Sequence, residues 1–204
     1  MYTLPKGTTA ATGMDALTHA IEGYITKAAW ELSDMFEIEA IRMINKHLRT
    51  AVYDPTNPVG RHGMAVAQYV AGMAFSNVGL GVVHGMAHPM GSLFDIPHGV
   101  ANALLLPTVM EFNKPVCVDK YVEIAKAMDA YKEGMTKAEA AQAACDAVRA
   151  LAIEVGIPQH LSEIGIKEED IDALADQAIA DVCTPGNPRQ VTRADIVELY
   201  RKVL

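Results

Sequence analysis

The sequence is short of several things, and each shortage narrows what the protein can be. Aromatic residues make up 6% of the 204 positions, and Val, Ile and Thr form no alternating runs. Sheet is therefore disfavoured, and abundant alanine points to helix. Cations are also few: 17 Lys and Arg stand against 25 Asp and Glu, a formal net charge of −8, with no polybasic run. Nucleic acid is not an expected partner, because phosphate binding needs clustered positive charge. Only three cysteines occur, Cys117, Cys145 and Cys183, far apart and without CxxC spacing. An odd, scattered set cannot complete a disulfide framework, so small buried thiols in a reducing cytoplasm are expected.

Residues 1–13 hold one Lys and no apolar stretch, which is not the pattern of a secretory signal. From Gly63 to Phe94 there is no Lys, Arg, Asp or Glu. That run is longer than the roughly 20 residues that span a bilayer. It contains His84, His88, Asn77, Gln68 and six Gly, however, and lacks the Leu, Ile and Phe density of a span. A buried helical core fits it better, and no membrane partner is expected.

Apolar spacing of three and four places helices along most of the chain. Met14, Leu17, Ile21 and Tyr24 mark one over 8–28, and Met35, Ile38, Ile41 and Ile44 mark another over 32–50. After the Asp54–Pro58 loop, helix resumes near Gly60 and runs toward Phe75. Ser76–Gly79 reads as a break before a helix through the uncharged segment, and another covers 100–110. Amphipathic helices follow over 117–131, 136–155, 167–183 and 192–203, the last opened by the capping sequence Thr192-Arg193-Ala194-Asp195. The fold class is all-α, a multi-helix domain.

Chemistry concentrates in two places. Asp15 and His19 are the only ionisable residues between Thr8 and Ile21, and their spacing of four puts them on one helical face. A carboxylate in such a setting is costly unless it is paired or bound to a cation. On this pair alone, a structurally paired Asp beside a core His is the commoner reading. His84 and His88 are again four apart, and His98 follows within the same stretch free of Lys and Arg. Neutral imidazoles with a carboxylate make a mixed N/O site suited to Fe(II) or Zn(II), and the five positions together favour a metal. Gly85, Gly91 and Gly99 allow turns or close backbone approach beside them. Pro89 cannot donate to the preceding turn, so the helix is expected to kink or end next to His88. His47, His62 and His160 carry no expected role. Gly79-Leu80-Gly81 opens like a dinucleotide fingerprint, but His stands at 84 and no strand precedes it. No GxSxG elbow, P-loop or HExxH is present.

The stretches Gly13–Glu22, Gly85–Gly91, Pro97-His98-Gly99, Ala101-Asn102, Pro107, Val155–Pro158 and Asn187-Pro188-Arg189 resemble the iron-containing alcohol dehydrogenases, along essentially the whole chain. The resemblance implies a metal held by Asp15, His19, His84 and His98. Its four-ligand set favours Fe(II), with Zn(II) as the alternative. His88 falls on the family's further histidine near the substrate and is the catalytic candidate, for proton relay or substrate contact. NAD(H) is the implied cofactor of the full-length enzyme. The implied substrates are short-chain alcohols or diols and aldehydes of the lactaldehyde/1,2-propanediol type. Family members begin with an α/β dinucleotide-binding domain that these 204 residues do not contain. The expectation is therefore one helical iron-binding domain over 1–204, inactive alone and a possible homo-oligomer. Two other readings stand beside it. One is a His/Asp metal-dependent hydrolase, with Glu22 as the nearest general base. The other is an inactive metal-binding fragment.

Overall fold

A computed structural model describes residues 2–204. Nine α-helices and four short 3-10 turns follow one another, with no strand among the described residues. The all-α expectation holds.

The centre of the molecule is α1, Lys6–Ile25. Its stripe of Met14, Leu17 and Ile21 is fully buried, and so are Ala16, Thr18 and Ala20 on its other sides. A helix rich in Ala, Gly and Thr can be enclosed all round, because small side chains let neighbouring helices come close. Each large aliphatic residue in the stripe contributes about 1.5–3 kcal/mol of transfer free energy. The helix starts earlier than 8, directly after Pro5, and stops at Ile25 rather than 28. There the chain turns at Thr26, whose hydroxyl donates to the Gly186 carbonyl at 2.9 Å.

Helices α2 (Glu31–Tyr53) and α3 (Pro58–Val78) form an antiparallel pair against α1. Asn57 caps α3 by accepting from the Val59 and Gly60 amides, with Pro58 in the first turn. The break expected near Ser76–Gly79 falls at Gly79–Gly81. Gly79 adopts φ 77°, a left-handed conformation that glycine takes without strain. Here the chain bends by 103° into α4, Val82–Phe94. Among the described residues, no single helix is long and apolar enough to cross a membrane.

Of the two outcomes expected beside His88, a kink or an end, the end is excluded: α4 continues through Pro89 to Phe94. Packing of α4 against its neighbours α5 (His98–Asn113) and α8 (Ile171–Ala180) offsets the lost backbone bond. Helix α8 is shorter than the expected 167–183, being entered by a 3-10 turn and left at Asp181 in an extended conformation. The remaining helices are α6 (Val118–Ala127), α7 (Lys137–Glu154) and α9 (Arg193–Lys202). Helix α6 ends short of 131 because the chain turns through Asp129 at φ 57°. The capping sequence at Thr192 forms as expected, with Thr192 and Asp195 each accepting the other's backbone amide.

Candidate metal centre

Three helices bring the four expected ligands together. Asp15 and His19 face the same side of α1, with His19 Nδ1 3.8 Å from Asp15 Oδ2. His84 enters from the first turn of α4, and its Nε2 lies 3.1 Å from His19 Nε2. His98 opens α5, with Nε2 3.5 Å from Asp15 Oδ1. One donor atom from each of the four lies within 4.8 Å of the others.

The glycines explain how the helices approach so closely. At Gly99 any Cβ would stand 2.5 Å from the Ala11 carbonyl oxygen, so α5 can press onto α1 only with glycine there. That contact seats His98 beside Asp15. Gly85 plays the same part against the Thr184 hydroxyl, whereas Gly91 meets nothing closer than 3.5 Å.

Three residues outside the expected ligand set organise it. Glu22, one turn beyond His19, is buried under the head of α4. It accepts from the Val83 amide at 2.7 Å and from His84 Nδ1 at 2.6 Å. Because Nδ1 of His84 carries the proton given to Glu22, Nε2 presents a bare lone pair to the centre. Buried and engaged in this way, Glu22 is not available to solvent water. Asn102, one turn after His98, donates Nδ2 to Asp15 Oδ1 at 2.7 Å. The same atom lies 3.1 Å from His84 Nε2 and 3.0 Å from His98 Nε2. Its own Oδ1 is buried without a partner. Phe75 on α3 stacks against the His19 ring, with centroids 4.3 Å apart.

Burial, followed by the neighbouring His84, depresses the His19 pKa to about 4, although Asp15 opposes the shift. Burial also lowers that of His98, again against Asp15. Neutral imidazoles are the ligating form. The centre thus gathers a carboxylate oxygen and two imidazole nitrogens around one amide nitrogen, and sets two imidazole nitrogens face to face. A cation suits this set, and N and O donors fit Fe(II) or Zn(II).

His88 sits one turn past His84, partly exposed, with ring centroids 6.0 Å from His84 and 5.5 Å from His98. Its Nδ1 lies 2.7 Å from Asp181 Oδ2, a partner 93 positions away that nothing in the sequence pattern signalled. His62 and His160 lie exposed at the surface, and the His47 ring packs against Gly63. Cys117 and Cys145 are buried free thiols, while Cys183 is only partly buried.

Residues 9–204 match the Fe-containing alcohol dehydrogenase family, C-terminal. The chain is 55% identical over 197 residues to lactaldehyde reductase of Escherichia coli (strain K12), covering 97% of this chain and 51% of that protein. It is 46% identical to 1,3-propanediol dehydrogenase of Citrobacter freundii, again over 97% of this chain and 51% of the relative. A crystal structure of 1,3-propanediol oxidoreductase superposes with a TM-score of 0.99 at 44% identity, covering all of this chain and 53% of the other. The alcohol dehydrogenase from Oenococcus oeni gives 0.97 at 40% identity, with the same coverage. The chain therefore spans about half the length of the relatives it matches. With its helical fold and convergent donors, it belongs to the Fe-containing alcohol dehydrogenase family, and it is the C-terminal part of that family that it matches.

Proposed function

We propose that Asp15, His19, His84 and His98 hold one divalent metal, Fe(II) with Zn(II) as the alternative. In this reading they serve an NAD(H)-dependent oxidoreductase that interconverts short-chain alcohols or diols and aldehydes. The observation that carries it is the set of four donors from three helices within 4.8 Å of one another. The lactaldehyde and propanediol activities named for the relatives support the substrate class. When bound, the metal would supply Lewis-acid stabilisation of negative charge on the substrate oxygen, and the nicotinamide would supply the hydride.

The chain's own residues do the positioning. Glu22 fixes the tautomer of His84, and Asn102 holds the Asp15 carboxylate in place. Asp181 engages Nδ1 of His88, which leaves Nε2 to take or give a proton beside the centre. Because Glu22 is engaged in holding α4 and His84, it is not free to act as the base that the hydrolase reading assigned to it.

Anaerobic loading with Fe(II), followed by metal analysis, tests the ligand set. One equivalent should be retained by the wild-type chain and lost in Asp15→Asn and in His98→Ala. Unchanged iron in both variants would overturn the assignment. Joined to the N-terminal half of the Escherichia coli relative, the wild-type chain should oxidise 1,2-propanediol with NAD, and both variants should be inactive.

A further inference from the structure

A second group of ligating side chains lies beside the first centre: His88 on α4, Asp181 just after α8, and Cys183 two residues on. Imidazole nitrogen, carboxylate oxygen and thiol sulfur from the three all lie within 4.8 Å of one another. We propose that these residues form a separate site for a thiophilic divalent cation such as Zn(II), distinct from the Asp15–His98 centre.

The local structure holds these side chains in register. Asp181 leaves α8 in an extended conformation, and its Oδ1 accepts from the Cys183 amide at 2.8 Å, which turns the two side chains to one side. Thr184 is anchored by donating its hydroxyl to the Ala178 carbonyl at 2.6 Å, and the same hydroxyl occupies the space a Cβ on Gly85 would need. The loop is therefore clamped onto α4 one turn before His88. That clamp fixes the imidazole relative to the carboxylate and the thiol.

The donor chemistry separates the two sites. The first offers three imidazoles and a carboxylate, whereas the second offers N, O and S, and sulfur selects Zn(II) over harder ions. Three protein ligands with a fourth position open to solvent is a common pattern for zinc. Tetrahedral bonds of about 2.0–2.3 Å set donor separations of about 3.3–3.8 Å, so side-chain rotation within the loop suffices to admit the ion. His88 and Asp181 lie 2.7 Å apart and would open slightly around it. The thiol proton is released to solvent as the sulfur–metal bond forms, so charge and atoms balance without a redox partner. A cation here would occupy His88 and withdraw it from proton transfer at the neighbouring centre.

Co(II) titration of the purified chain tests the site, because only a thiolate ligand gives a sulfur-to-cobalt charge-transfer band. The band should appear in the wild type and persist in Asp15→Asn and His98→Ala, which disable only the first centre. It should vanish in Cys183→Ser, with the fold checked by circular dichroism. His88→Ala should weaken Co(II) binding at least by the roughly 10–100-fold seen when a supporting partner of a metal ligand is lost. Zn(II) analysis should give two equivalents in the wild type and one in Cys183→Ser. Absence of the band from the wild type, or its survival in Cys183→Ser, would overturn the proposal. Either result leaves the first centre to be judged by its own variants.

Discussion

Two buried glutamates meet at the C-terminal half of α1, one belonging to it and one reaching it from α2, in opposite conditions. Glu22 sits under the head of α4 with its carboxylate bonded to the Val83 amide and to His84 Nδ1. Glu37 reaches from α2 against the backbone of Gly23, the very next residue of α1, and neither of its oxygens has a partner. Both are essentially inaccessible to solvent. Burial, aided by Asp34, pushes the Glu37 pKa up to about 9, so at neutral pH this residue is a neutral acid. Equal burial therefore gives two different chemistries, and the hydrogen-bond donors decide which. A carboxyl at a helix N-terminus finds donors and orients a ligand, while a buried one without donors gives up its charge.

The largest effect should come from removing the partnered acid. Glu22→Ala strands the α4 amides and the His84 ring proton inside the protein, at a cost of about 3–5 kcal/mol. Urea unfolding measures that loss. Glu22→Gln keeps one oxygen acceptor and turns the other into an amide donor, so more stability should survive while Fe(II) affinity falls by roughly 10–100-fold. If Glu22→Gln bound iron as tightly as the wild type, orientation of His84 by the carboxylate would be the wrong account of Glu22.

The unpartnered acid should speak through pH instead. Glu37 has a folded-state pKa near 9 against an ordinary 4.5, so between those values the folded protein holds a proton that the unfolded chain releases. Stability must then fall as pH rises through that window, with a slope from this group of at most about 1.4 kcal/mol per pH unit. Glu37→Gln removes the ionisation and should flatten the slope, leaving the variant relatively more stable at pH 8 than at pH 5. Parallel stability–pH curves for the two proteins would mean that Glu37 is charged in the fold. The contrast with Glu22 would then collapse.

The sequence displayed the centre's donors but not their supports, and the reason is distance along the chain. Asp15 and His19 stood out because a four-residue spacing in an otherwise uncharged helix is a local pattern. His84, His88 and His98 stood out because no Lys or Arg surrounds them. Glu22 was visible beside His19 yet was weighed as a base, since its partner His84 lies 62 positions on. Asp181 and Asn102 act across 93 and 87 positions, where no periodicity reports contact. Glu37 carries no signal in the sequence, because what makes it unusual is what packs against it. The same limit applies to Pro89. Local rules kink or end the helix at that residue, while tertiary packing on α5 and α8 carries it on to Phe94.

Helix α9 provides the surface counterpart that calibrates the comparison. Asp195 does for α9 something close to what Glu22 does for α4, accepting from the Thr192 amide at 2.9 Å while Thr192 caps the Asp195 amide in return. Here both partners are local and solvent can replace either of them, so the bonds exchange with water at little net gain. Hydrogen bonding to Thr192 is also the first cause holding the Asp195 carboxyl below its ordinary pKa. Thr192→Ala should therefore cost only about 1 kcal/mol of stability by urea unfolding and leave iron binding unchanged. The two helix heads use similar bonds, so the gap between about 1 and about 3–5 kcal/mol measures what burial adds to them. A Thr192→Ala loss as large as that of Glu22→Ala would mean that local capping chemistry, not burial, dominates at both ends.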